Sequence, residues 1–283
     1  MKQLALDFSS QYCLFKGEPG TRKSTCALSY PKPMYWFDWD QKMDALALPM
    51  MHWGIDIKDI YHDEYNDWNS ALSQLERLNM KCPYKTIVID SITSCADGIN
   101  RQTLKVKSGT QGGGKQVAGI PVNSIEDFNA EDSALKELVA LTKSIRKAHN
   151  VNVILIAHVI QKEVKDSAGK THMSRTLVTA GKAIAQKIPA YCSEVYHFNI
   201  KMGLDVSKGG QYSLLTTHTG DDFARTSLPL PEEIVFGNDP LYDKYILPSI
   251  NTITKQLSIQ QPQQTGVENN ASNPIQQTGF ASR

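Results

Sequence analysis

Gly17-Glu18-Pro19-Gly20-Thr21-Arg22-Lys23-Ser24-Thr25 is the stretch that decides how this chain is read. An apolar run at residues 11–16 precedes it. A segment of helical character follows from 23 to about 29, closed by Pro31 and Pro33. A strand, a tight loop and a helix in that order present a row of backbone N–H groups, a cradle for an anion. The pattern G-x-x-x-x-G-K-[ST] is met at Gly17, Lys23 and Ser24, while Arg22 stands where the pattern has its second glycine. In such a loop the lysine reaches the β- and γ-phosphates of a nucleoside triphosphate, and the Ser/Thr hydroxyl ligates Mg²⁺. Residues Gly17 through Thr25 are therefore the expected ATP-binding set, with Lys23 and Ser24 at its centre. Gly20 supplies conformational freedom two residues before Arg22. Arg22 itself adds charge beside the nucleotide or weakens hydrolysis.

Working outward, residues 34–37 read as a second strand leading into Asp38-Trp39-Asp40. Residues 86–89 form a short β-branched run of the kind buried on both faces of a parallel sheet, and it ends in Asp90. Following a phosphate loop in the chain, Asp90 reads as a Walker B acid that holds Mg²⁺ with Ser24. Residues 151–157 form another all-apolar strand and end at His158. Helices are expected at 67–79, 130–149 and 180–188, the second on the spacing of Leu135, Leu138, Val139, Leu141 and Ile145. Residues 101–123 show no helical or strand period, and 161–170 read as polar and mobile. Residues 194–202 and 211–218 look like a hairpin turning at 207–210. Strands alternating with helices give an α/β fold with a mostly parallel sheet, extended at one edge by antiparallel strands.

Lys+Arg number 30 against 29 Asp+Glu, so the net charge of +1 excludes a globally basic nucleic-acid coat protein. Any nucleic-acid binding must come from local patches. The five cysteines form no C-x-x-C pair and read as reduced, mostly buried thiols of a cytoplasmic protein. No apolar run approaches the ~18 residues of a membrane span, and residues 1–8 are too short and mixed for a signal peptide. Residues 1–250 are expected to form one domain. Residues 251–283, rich in Gln, Asn, Ser and Pro beyond about 256, are expected to form a disordered tail.

From residue 10 to about 240 the ordering resembles the phage RecA-like P-loop ATPases, including the Sak-type single-strand annealing group. The resemblance rests on residues 17–25, the break at Pro31-Lys32-Pro33, residues 86–94, and Ala157-His158. It continues through Thr179-Ala180-Gly181-Lys182, Ile188-Pro189, the hairpin from Glu194, Arg225, and Pro231-Glu232-Glu233-Ile234. It implies a RecA-like P-loop NTPase core using ATP and Mg²⁺. It implies single-stranded DNA binding in recombination or replication, with annealing or strand exchange as the activity. Assembly into a homo-oligomeric ring or filament is implied as well. By the same resemblance Asp40, the second acid of Asp38-Trp39-Asp40, polarises the attacking water, although RecA-type enzymes usually carry Glu there. His158 is similar in position to a sensor that reports the γ-phosphate, and Arg225 to an arginine finger reaching a neighbour's nucleotide.

The resemblance also places DNA on loops following the strands that end in Asp90 and His158. Both regions are basic. Residues 101–118 hold Arg101, Lys105, Lys107 and Lys115 with no acid. Residues 162–187 hold Lys162, Lys165, Lys170, Arg175, Lys182 and Lys187 against Glu163 and Asp166. Such patches bind phosphate backbones without sequence preference. Neither contains Phe, Tyr or Trp, so backbone tracking is expected rather than base stacking. The Gln-rich tail is a candidate docking segment for a single-strand binding protein. Two other readings stay open: a nucleotide-gated loader or adaptor with little turnover, and a small-molecule kinase, which would need an arginine-bearing lid.

Overall fold

The computed structural model describes residues 7–108, 116–117, 120–121, 125–165, 169, 171–179, 182–202, 210–220 and 222–260. Strand β1 (Tyr12–Gly17) is buried at every position and leads through the 17–22 loop into α1 (Lys23–Leu28). Then follow β2 (Met34–Asp38), α2 (Ala47–Trp53), β3 (Ile60–Glu64), α3 (Trp68–Met80), β4 (Thr86–Asp90) and α4 (Ile92–Ser108). A two-residue pair, β5 (Gln116–Val117) and β6 (Ile120–Pro121), precedes α5 (Ile125–His149). Strands β7 (Asn152–Lys165) and β8 (Thr171–Leu177), helix α6 (Lys182–Tyr191), and strands β9 (Glu194–Met202), β10 (Gly210–Leu215) and β11 (Glu233–Phe236) come next. Helix α7 (Leu247–Gln260) closes the described chain.

The main sheet runs β11-β10-β9-β1-β7-β4-β2-β3, with β8 paired to β7. The pairs from β9 through β1, β7, β4 and β2 to β3 are all parallel, and β9/β10, β10/β11 and β7/β8 are antiparallel. This is the mostly parallel sheet with antiparallel edge strands that the sequence leads one to expect.

Alternation along the strands builds two cores, one per face, because successive side chains point to opposite sides. Leu14, Phe37, Ile87, Ile89 and Leu155 pack on one face beneath α3–α6. Phe15, Trp36, Val88, Ile154 and Ile156 pack on the other with Cys26 and Leu28 of α1 and Ile250 of α7. Each such side chain contributes about 1.5–3 kcal/mol by leaving water, which is why the strand sequences tolerate so few polar residues. The sheet register levels the strand ends: Asp38 pairs with Asp90, Asp90 with Ile156, and Gly17 with His158. Loops leaving these ends therefore meet at one edge.

Four expectations are corrected. Helix α4 continues to Ser108, so 101–108 is not aperiodic loop; Ile92, Cys95, Ala96 and Ile99 bury its first turns, and the later turns propagate from them into solvent. Strand β7 does not end at 157. It runs to Lys165 and pairs with β8 from Val159–Leu177 to Lys165–Thr171, so residues 161–165 of the segment expected to be mobile belong to a two-stranded ribbon. Helix α5 begins at Ile125, before residue 130. Helix α7 crosses the boundary placed at residue 250, and Ile253 packs against the core. Residues 261–283 and 203–209 lie outside the described residues, and with them all but Gly210 of the turn expected at 207–210.

Helix α3 starts one residue after its expected beginning because Asp67 caps it, accepting the Ser70 N–H at 2.9 Å. The five cysteines carry free thiols, four of them buried. Among the described residues no helix is long and apolar enough to cross a membrane.

Candidate functional site

The 17–22 loop is shaped by its backbone. A Cβ at Gly17 would collide with the Phe198 carbonyl of β9, so only glycine fits there. Arg22 adopts φ 66°, ψ 25°, a left-handed conformation. The position where the pattern has glycine thus keeps the conformation that glycine makes easy, at a strain of about 1 kcal/mol for a residue with a side chain. The Arg22 side chain turns away from the loop. Its Nη1 donates to the Gly237 carbonyl and to Asn238 Oδ1, both at 2.8 Å, and its guanidinium lies 3.9 Å from the centre of the Tyr212 ring. The charge expected beside the phosphates is spent on the β10–β11 edge instead.

Lys23 is buried at the start of α1, and its Nζ donates to the carbonyls of Gly17 (3.0 Å) and Glu18 (2.8 Å) and to Thr21 Oγ1 (3.3 Å). Burial pulls its amine down to about 8, against the charges of Asp90, Asp40 and Glu18. Ser24 Oγ donates to Asp90 Oδ2 at 2.7 Å. Burial pushes the Asp90 carboxyl up to about 6; the Ser24 hydrogen bond opposes that, and the neighbouring Asp40 and Asp38 reinforce it. A hydroxyl and a carboxylate side by side are hard oxygen donors. Mg²⁺ is held by one or two carboxylates plus substrate phosphates rather than by an all-protein cage. Ser24 and Asp90 fit that requirement, and among the described residues no cluster of three His, Cys, Asp or Glu competes with it.

Two further acids reach the same edge. The N–H groups of Trp39 and Asp40 both donate to the Asp90 carbonyl, at 2.7 and 3.2 Å, which ties the ends of β2 and β4 together. Burial raises the Asp38 carboxyl, while backbone N–H groups at 41–43 oppose the shift. Asp40 Oδ1 accepts from Ser91 Oγ at 2.8 Å and from Ser94 Oγ, and Oδ2 faces His158 Nε2 at 3.4 Å and Lys42 Nζ at 3.8 Å. Burial alone would raise Asp40, but the His158, Ser94 and Ser91 hydrogen bonds hold it well below the usual carboxylate range. Thr93 Oγ1 accepts the His158 N–H at 3.1 Å. Lys23, Ser24, Asp38, Asp40, Asp90 and His158 thus line one cleft of about 270 Å³.

A protein-family profile described as "AAA domain" matches residues 10–228. The chain belongs to this AAA domain family. With the phosphate loop after β1 and its acidic partner at the end of β4, this AAA domain has the RecA-like P-loop ATPase fold. A KaiC-like protein from the hyperthermophilic archaeon Pyrococcus horikoshii OT3 is similar in structure. It is 16% identical, the match covers 80% of this chain and 89% of that one, and the TM-score is 0.45. No curated protein matches the chain.

Other expected site residues of the AAA domain lie apart from the cleft. Arg101 and Lys105 are exposed on α4, while Lys107 pairs with buried Asp127 at 2.6 Å. Lys162 and Lys165 are exposed on the outer half of β7, and Lys115 and Lys170 lie outside the described residues. Arg175 of β8 is half-buried and donates to Asp222 Oδ2 at 2.6 Å. Arg225 bridges to Val195 near the start of β9, and its guanidinium donates to the carbonyls of Ala190 (3.3 Å) and Cys192. Ser91, Ser94 and Thr93, which position Asp40 and His158, were not singled out from sequence as site residues. Their only signal is the cluster of hydroxyls directly after Asp90.

Proposed function

We propose that this AAA domain protein binds ATP with Mg²⁺ at residues 17–25, hydrolyses it, and couples turnover to single-stranded DNA during annealing or strand exchange in phage recombination or replication. The observation that carries the reading is the pair Ser24–Asp90, with Lys23 on one side and Asp40–His158 on the other. Lys23 exchanges its loop carbonyls for phosphate oxygens. Ser24 and Asp90 hold the metal, which supplies charge neutralisation at the β- and γ-phosphates when bound. Asp40 orients the attacking water, and His158, bonded to Asp40 and lying on the strand that becomes the β7–β8 ribbon, links that water to the ribbon. Exposed Arg101, Lys105, Lys162 and Lys165 supply cations for a nucleic-acid backbone.

In a ring or filament of identical subunits, Arg225 would leave the Ala190 and Cys192 carbonyls to reach a neighbour's nucleotide. The 261–283 segment is the proposed docking point for a single-strand binding protein. One observation favours a second reading, a nucleotide-gated loader or adaptor. Asp40 is short and held ionised by three neighbours, His158, Ser94 and Ser91, which makes it a weak proton acceptor. ATP hydrolysis with and without oligo(dT), at low and moderate salt, separates the two. Stimulation that fades with salt supports DNA-coupled turnover. ATP binding with no stimulation supports the adaptor. Absence of ATP binding overturns both.

A further inference from the structure

A second cleft lies on the opposite face of the sheet from α1, just behind the phosphate loop. Lys16 shares its face with Leu14 and Tyr12, and β8, α6 and the 222–224 segment wall in a space of about 630 Å³ above it. Lys16 lines this space although the residue is only 2% exposed. Its amine makes no hydrogen bond or ion pair with any described residue.

A buried ammonium without a partner is costly unless something compensates it. Burial pulls Lys16 down to about 8, with Asp222 opposing, so it still carries its charge at neutral pH. Asp222 gives its Oδ2 to Arg175, which itself lines the cleft, and its Oδ1 lies 3.7 Å from His197 Nε2, so it acts on Lys16 through its charge and not through a hydrogen bond. His197, fully buried beside them, is pushed down to about 4 chiefly by burial and then by the Lys16 charge, so it is neutral and adds no competing cation.

The rest of the lining matches the two ends of a nucleotide. Lys162 and Arg175 join Lys16 at the cationic side. Phe223, 37% exposed, brings an aromatic ring that neither basic segment carries in sequence. The volume falls in the range of small-ligand sites.

We infer that this cleft is a phosphate site separate from the 17–25 loop, taking one nucleoside phosphate with its phosphate on Lys16 and Arg175 and its base against Phe223. The unit is either a free mononucleotide or one residue of a single strand. Arg175 Nε lies 3.9 Å from Glu18 Oε1 of the loop, so the two clefts are neighbours. The inference stands whether or not the first cleft turns over ATP.

The test uses the full chain in a Lys23→Ala background, which silences the phosphate loop. dTMP is titrated by calorimetry and fluorescent oligo(dT) by anisotropy, each against added Lys16→Met or Phe223→Ala. Binding of either probe that weakens about tenfold or more in both variants supports the site. A response to dTMP assigns it to free nucleotides, and a response to oligo(dT) alone assigns it to a strand. Lys16→Met removes an unpaired buried charge and is expected to melt no lower than its parent. If it fails to fold, Phe223→Ala, altered at a partly exposed ring, decides the matter. Unchanged affinity in the variants, or no binding of either probe at millimolar concentration, overturns the inference.

Discussion

Replacing Arg22 by glycine restores the phosphate-loop pattern, yet it is expected to destabilise the protein. Arg22 sits at φ 66° while its side chain makes two 2.8 Å hydrogen bonds and covers the Tyr212 ring. The hydrogen bonds lie in an exposed setting, so about 0.5 kcal/mol each is appropriate, and the cation–π contact adds about 0.5–1 kcal/mol. Losing these anchors removes about 2 kcal/mol, of which glycine returns about 1 kcal/mol by relieving the left-handed strain. Arg22→Ala loses the same anchors and keeps the strain. The order of stability should be wild type, then Arg22→Gly, then Arg22→Ala. For a chain of this size the variants should melt about 2–4 °C and about 4–8 °C below wild type. Thermal unfolding of the nucleotide-free proteins, followed by circular dichroism, reads this directly. Ordinarily alanine is the more stabilising of the two, because glycine gains more freedom on unfolding. Finding Arg22→Ala as stable as Arg22→Gly, or Arg22→Gly more stable than wild type, would refute the anchored left-handed Arg22.

Asp90 gives a pH-dependent prediction. Its folded pKa is raised from 3.8 to about 6. The group therefore favours folding most below pH about 4, and that contribution is lost as pH rises through 6. In metal-free buffer Asp90→Asn should be more stable than wild type by up to about 2 kcal/mol at pH 7.5, and the gap should close toward pH 4.5. Urea denaturation at the two pH values checks it, and a constant gap would contradict the buried, protonation-prone carboxyl. His158→Ala should lower ATP hydrolysis and its response to oligo(dT) by about tenfold, while ATP affinity measured by calorimetry stays close to wild type because His158 faces Asp40 rather than the loop. Equal turnover in variant and wild type would remove His158 from the site.

What was legible in the sequence is what the backbone itself dictates. Gly17 is required by the Phe198 carbonyl, and the β-branched runs ending in Asp90 and His158 are required by burial on two faces. The sheet register then brings Gly17, Asp38, Asp90 and His158 to one edge without further instruction. What stayed hidden depends on partners far along the chain. The Arg22 anchor at Gly237 and Asn238 has no local signature, and the missing glycine suggests weakness where the fold has a compensated strain. The β7–β8 ribbon escaped because cross-strand pairing holds it rather than burial; Ile160, Val164 and Met173 remain exposed. The outer turns of α4 escaped because they inherit helix from a buried first half. Phe223 gave no hint that it lines the same cleft as Lys16, since the two are far apart in sequence.

The most direct test of the phosphate-loop assignment is calorimetric titration of ATP into wild type and Lys23→Ala, each with Mg²⁺ and with EDTA. Lys23 is the buried amine of the loop, and Ser24 with Asp90 is the metal pair. The expected result is ATP binding by wild type that weakens about tenfold or more in EDTA and is lost in Lys23→Ala. Equal ATP affinity in the two proteins, or wild-type binding indifferent to Mg²⁺, would contradict it.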